Sequence, residues 1–161
     1  MDKISWRNVV SGGLLAGFVA NLLQFTANNL YLRAEWIAVG APWNRGTNPT
    51  FSHVALAVMT FAGGILAVFM YAMMRLWLRP GPRTAAIAGL TFWVSAWLYA
   101  VLIWTLSGGL PTVPMKLWAT HLGTYLVVAI VQTEVGAWMY KPSNSTPSGA
   151  GFTAQSTGVT A

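Results

Sequence analysis

The sequence predicts an all-α membrane protein in which four transmembrane helices form an up-down bundle. Of the 161 residues, 55% are hydrophobic and only 7% are charged, whereas a soluble domain normally carries about a quarter charged residues. Four apolar stretches are long enough, at ~1.5 Å per residue, to cross a hydrocarbon core of about 30 Å. Turn formers and basic residues separate these stretches, as expected of a chain that crosses a bilayer repeatedly.

The predicted spans and loops follow one another along the chain. The four spans are predicted at residues 8–32, 51–78, 85–106 and 115–140. The segment 33–50 is rich in turn formers, so we expect a loop with one interfacial helical turn. Residues 1–140 therefore form one transmembrane domain. Residues 141–161 are rich in Ser, Thr and Gly, and we expect a flexible tail because this composition buries too little apolar surface to fold alone.

The first stretch occupies the position of a secretory signal peptide. It is long, carries several amides and lacks a convincing small-residue cleavage site. We therefore expect a retained first helix.

Basic residues at the span ends predict the orientation of the chain in the membrane. One side carries Lys3, Arg7, Arg75, Arg79, Arg83 and Lys141. The other side carries Arg33, Arg45 and Lys116. Because Lys and Arg concentrate in cytoplasmic loops, the larger group predicts cytoplasmic termini in the inner membrane of the cell. The basic residues form no patch along the sequence, so no nucleic-acid partner is expected.

Small and amide residues recur along one face of the first two spans. Five such residues of the first span would lie within about 80° of each other around a helix. They are Gly13, Gly17, Asn21, Gln24 and Asn28. Gly64 lies on a similar face of the second span. Lipid offers an amide no hydrogen-bond partner, so we expect these faces to pack against other helices. The alternative is a polar path or ligand pocket.

The third span carries a ladder of tryptophans. Trp93, Trp97 and Trp104 align on one side, and small or hydroxyl residues on the opposite side suit inward packing. We therefore expect the tryptophan side to face outward, towards lipid, a flat ring-bearing ligand or a partner subunit.

Glu134 is the one acidic residue well inside a predicted span. Intramembrane carboxylates need a partner, and Arg75 ends the second span at a similar depth. We therefore predict an ion pair between Glu134 and Arg75. A proton-carrying carboxylate is the alternative.

The two histidines of the chain lie towards the same, non-cytoplasmic side. His53 is near the start of the second span and His121 is six residues into the fourth. Their similar depth would permit shared ligation of haem or a chlorophyll-type pigment. Two ligands are too few for a structural zinc site, so no metal site is predicted. The alternative is interfacial histidines bonded to loop carbonyls.

Catalytic motifs are lacking in the sequence. It has no cysteine, which excludes disulfides and a cysteine nucleophile. It has no phosphate-cradling glycine loop, Ser-His-Asp set or paired carboxylates. We therefore expect no enzymatic activity.

Two sequence motifs carry a family resemblance. The first runs from Tyr71 and Ala72 through Arg75 and the Pro80-Gly81-Pro82-Arg83-Thr84 turn to Ala88 and Gly89, and the second is Gly136-Ala137-Trp138-Met139-Tyr140-Lys141. In both, the chain resembles a group of small, uncharacterised bacterial four-helix membrane proteins. The resemblance implies the four-helix fold and is silent about activity and cofactors.

Three functions are compatible with these features. The first is a non-catalytic accessory or structural subunit of a larger membrane complex, in which the tryptophan face and the tail engage other subunits. The second is a homo-oligomeric transporter or channel built around the amides and Glu134. The third is a haem or pigment protein that uses His53 and His121. Bound lipid is expected in each case.

Overall fold

The structure, a computed structural model, describes residues 4–38, 49–106 and 114–140, with the side chains of residues 49–52 and 104–105 excepted. Every element in these ranges is helical. They are α1 (Trp6–Thr26), which continues as a π-helical segment (Ala27–Tyr31), then α2 (Arg33–Ala38), α3 (Pro49–Met74), α4 (Pro82–Leu106) and α5 (Met115–Met139). The tail at 141–161 lies outside the described residues.

Among the described residues, four helices are long and apolar enough to cross a membrane. Their spanning stretches are Trp6–Tyr31, His53–Met74, Pro82–Ile103 and Met115–Met139. The all-helical class and the number of long apolar helices are thus confirmed. Which membrane the chain occupies and on which sides its termini lie stay predictions.

The element boundaries differ from the predicted ones by more than two residues in two places. The second span was expected to reach residue 78, but α3 ends at Met74 and residues 75–77 form a turn. The third span was expected to begin at residue 85, but α4 begins at Pro82. Proline suits the first position of a helix, because the N–H that it lacks would have no partner there. A helical turn expected after the first span is present as α2, and its position at the membrane interface stays a prediction.

Neighbouring helices run antiparallel, as an up-down bundle requires. Along α1 and α3, Gly13 lies opposite Ile65 and Gly17 lies opposite Phe61. The residue numbers rise on one helix as they fall on the other, so the two helices point in opposite directions. By the same reasoning α5 is antiparallel to α1 and to α4.

The interior of the bundle consists mainly of small residues, whereas large apolar side chains lie outside. The fully buried positions include Ala16, Ala20, Ala67, Val68 and Ala88, each with no exposed surface. The exposed positions include Leu14, Phe18, Leu22 and Phe25 on α1. Because lipid is as apolar as leucine, membrane helices associate through close contact of small residues, and bulky side chains are free to face acyl chains.

Candidate functional site

The glycines of the predicted packing face lie at the closest approach of α1 and α3. A Cβ atom on Gly17 would lie 2.7 Å from the Cα of Phe61, and one on Gly64 would lie 2.5 Å from the carbonyl oxygen of Gly13. Neither position has room for a side chain. The backbones therefore touch directly, which is how a pair of small residues four apart stabilises helix pairs in lipid.

The amides of the same face form hydrogen bonds between helices. Asn21 Nδ2 donates to the carbonyl oxygen of Ala57 at 3.3 Å and to that of Gly17 at 2.9 Å. Gln24 Oε1 lies 3.5 Å from the Thr60 hydroxyl, a weaker contact than the 2.9 Å bond from that hydroxyl to its own helix. The amides suggested for a polar path thus serve mostly to join α1 to its neighbours.

Asn28 connects three elements at the end of α1. Its Nδ2 donates to the Tyr125 hydroxyl at 3.3 Å, and its Oδ1 accepts a bond from Trp36 Nε1 at 3.2 Å. The side chain sits where α1 widens into the π-helical segment Ala27–Tyr31, and π-helical turns are frequent at functional sites. This asparagine therefore links α1, α2 and α5 around one position.

The structure departs from the predicted outward direction of the tryptophan ladder. Trp93 Nε1 donates to the carbonyl oxygen of Leu122 on α5 at 3.2 Å. The ring of Trp97 lies 5.7 Å from that of Trp118. Both tryptophans are half-buried. The indole N–H of Trp93 needs an acceptor in the membrane interior, and a carbonyl of α5 supplies one. The side chain of Trp104 lies outside the described residues.

Four aromatic rings surround His121, and we call His121 together with these four side chains the histidine cluster. Its other members are Trp36 of α2, Trp97 of α4, and Trp118 and Tyr125 of α5. Their ring centres lie 4.3 to 6.2 Å from the imidazole centre. Three of the four meet the imidazole nearly at right angles, the edge-to-face arrangement that aromatic pairs prefer.

One polar atom at the centre of the cluster lacks a hydrogen-bond partner in the described part of the chain. His121 is only 8% exposed, and its Nδ1 atom is buried without a bond. A buried polar group without a partner costs free energy, and such atoms in native structures call for an explanation. The histidine cluster is therefore the strongest candidate for a functional site in the described part of the chain.

The two histidines occupy different surroundings. His53 is exposed near the start of α3, whereas His121 is enclosed by rings. No group of three or more potential metal ligands occurs among the described residues. Shared ligation of haem or of a chlorophyll-type pigment stays a prediction, which an absorption spectrum of the purified protein would test.

The predicted pair of Arg75 and Glu134 is not brought together. The Arg75 guanidinium lies over the rings of Tyr71 and Tyr140, at 5.7 and 5.4 Å from their centres. Glu134 is exposed on the outer side of α5, because Thr133 and Gly136 take the buried side of that helix. The arginine is thus held by cation–π contacts, and the carboxylate points away from the bundle.

A surface groove of about 340 Å³ runs between the end of α1 and α5. It is lined by Leu23, Thr26, Ala27, Tyr31, Thr124, Val127 and Val128. The lining is almost wholly apolar and belongs to two spanning helices. Bound lipid stays a prediction for this groove.

Sequence reasoning missed two of the five members of the histidine cluster. It named His121, Trp97 and Tyr125 but neither Trp36 nor Trp118. One signal was available, since Trp118, His121 and Tyr125 are spaced three and four residues apart and must share one face of a helix. No comparable signal placed Trp36, which reaches the cluster from a different element.

Comparison of the chain with protein-family models, with curated proteins and with solved structures finds no match. The family resemblance drawn from the two sequence motifs therefore stays a prediction. The function proposed below rests on the residues and their geometry.

Proposed function

We propose that the protein is a non-catalytic accessory or structural subunit of a larger membrane complex, such as an energy-transducing assembly. In this proposal the chain sits in the inner membrane with both termini in the cytoplasm, as the distribution of basic residues indicates. The single observation that carries the proposal is the outward position of Glu134.

Glu134 lies inside the spanning stretch of α5, five residues before the helix ends at Met139. That separation corresponds to about 7.5 Å along the helix axis. No salt bridge joins the carboxylate to another described residue, and its side chain is exposed. Ionisable groups within a membrane span normally face protein or a water-filled cavity. A helix of another subunit that carries a hydrogen-bond donor would supply the missing partner.

The interior of the bundle supports the same conclusion. The glycine and amide faces of α1 are already used in contacts with α3 and α5. Partner contacts therefore have to form on the outer surface. Two tryptophans at the end of the bundle that holds Glu134, Trp77 and Trp138, are 88% and 82% exposed, and aromatic residues are enriched where proteins associate.

Purification in a mild detergent tests this proposal. The wild-type protein is expected to migrate with other membrane proteins, identified by mass spectrometry, and Glu134→Gln is expected to lose them. Glu35→Gln is the matched control, because Glu35 is exposed on α2 outside the spanning stretches. A wild-type protein that purifies only as a monomer would contradict the proposal.

A homo-oligomeric transporter or channel is the second candidate. The same carboxylate would be satisfied at an interface between copies of this chain, and four spans are few for a transport path within one copy. Chemical cross-linking in membranes distinguishes the two candidates, because it shows whether the neighbour of Glu134 is a copy of this chain. Substrate uptake into liposomes would then be required of a transporter.

A further inference from the structure

The short helix α2 rests on the bundle through one side chain. Of its six residues, only Trp36 is buried, with 5% of its surface exposed. Arg33, Glu35 and Ile37 are exposed. Elements that bury few side chains are the ones that open at low free-energy cost. The indole of Trp36 is therefore the part of the histidine cluster that can leave most easily.

The indole lies against two polar residues, Asn28 and His121. Its Nε1 donates to Asn28 Oδ1 at 3.2 Å, and its ring centre lies 5.1 Å from that of His121. An indole N–H can donate but cannot accept. Trp36 therefore satisfies Asn28 and leaves His121 Nδ1 without a bond.

We propose that the position held by the Trp36 indole is a binding site for a flat aromatic ring that carries a hydroxyl group, such as a quinol or another bilayer-soluble phenol. The ligand enters when α2 withdraws. This inference is independent of the proposed role of Glu134, since it concerns the opposite end of α5.

A hydroxyl group matches the two polar atoms better than the indole does. It can donate to Asn28 Oδ1 and at the same time accept a bond from a protonated His121 Nδ1. The aromatic part of the ligand would take the edge-to-face contact that Trp36 now makes with the imidazole. Trp97 and Trp118 would remain in place as the other walls, so an uncharged, planar ligand is favoured.

The chain contains only two histidines, so the ¹⁵N resonances of His121 can be followed separately from those of His53 by NMR. Protein labelled with ¹⁵N-histidine in lipid nanodiscs would be titrated with 1-naphthol and, as the matched probe without a hydroxyl, with naphthalene. His53 is exposed and outside the cluster, and its resonance serves as an internal control. We expect 1-naphthol to shift the His121 Nδ1 resonance saturably and to leave that of His53 unchanged. Naphthalene should bind roughly tenfold more weakly or worse.

Two variants separate a ligand site from a filled core. Trp36→Ala should bind 1-naphthol at least about tenfold more tightly than wild type, since no indole has to be displaced. Trp77→Ala, at an exposed position, should bind like wild type. If Trp36→Ala fails to fold, Trp36→Phe, which keeps a ring but lacks the N–H, replaces it.

Two results would overturn the proposal. The first is a wild-type His121 resonance that does not move at 1-naphthol concentrations that saturate the variant at Trp36. The indole would then be a permanent part of the core. The second is equal affinity for 1-naphthol and naphthalene, which would show that the polar atoms of Asn28 and His121 do not select the ligand.

Discussion

Substituting Gly64 by alanine should weaken the contact between α1 and α3. A Cβ atom at Gly64 would lie 2.5 Å from the carbonyl oxygen of Gly13, whereas ordinary contacts begin at 3.4 Å. The two helices would have to separate by about 0.9 Å, which also loosens the close contact at Gly17. Overpacking of this kind typically costs about 1–3 kcal/mol.

Gly123→Ala is the matched control for this prediction. A Cβ atom at Gly123 would meet nothing within 4 Å, and the residue is exposed on α5. Replacing a helical glycine by alanine at such a position stabilises a helix by up to about 1 kcal/mol. Because this gain is common to both helical sites, the unfolding free energies of the two variants should differ by the overpacking cost alone, about 1–3 kcal/mol.

Reversible unfolding of both variants in detergent or in bicelles would measure this difference. Gly64→Ala is expected to unfold well before wild type, and Gly123→Ala at the same point or later. If Gly64→Ala were as stable as Gly123→Ala, the direct backbone contact between α1 and α3 would not be what holds these helices together.

Three further substitutions have defined outcomes in the same unfolding assay. Asn21→Leu should cost about 0.6–2 kcal/mol, because it removes the bond to the carbonyl oxygen of Ala57, and an unchanged stability would show that this bond contributes nothing. Arg75→Gln should cost about 0.5–1 kcal/mol for each of the two tyrosine rings under the guanidinium, whereas a larger loss would indicate a partner of another kind. Trp93→Phe keeps an aromatic ring but lacks the N–H, so it should cost about 1 kcal/mol through the lost bond to Leu122. A fully tolerated change would contradict the inward direction of that indole.

Composition and hydropathy along the chain were enough to predict a membrane protein and its approximate spans. The low fraction of charged residues and the four long apolar stretches are typical of a membrane protein and not of a soluble domain. The alignment of glycines and amides on α1 also followed from the sequence, since an amide cannot face lipid without a partner. For Gly13, Gly17 and Asn21, the periodicity alone therefore indicated a face that other helices should cover.

The direction in which the aromatic faces point could not be predicted without the packed bundle. Helical periodicity shows that Trp93 and Trp97 share a side of α4, but not which way that side is turned. In water, hydrophobicity would settle the question, yet lipid and protein interior are similarly apolar, so an aromatic face fits either one. In the structure, Trp93 donates a hydrogen bond to the carbonyl oxygen of Leu122, so this face lies against α5.

The surroundings of single polar residues were likewise beyond the reach of the sequence. The histidine cluster combines side chains from α2, α4 and α5, which lie far apart along the chain. Arg75, which directly follows α3, contacts the rings of Tyr71 and Tyr140 and not the predicted carboxylate of Glu134. Depth in the membrane can be counted from the sequence, but the rotation of each helix about its axis is set by packing against its neighbours, and that rotation decides which side chains meet.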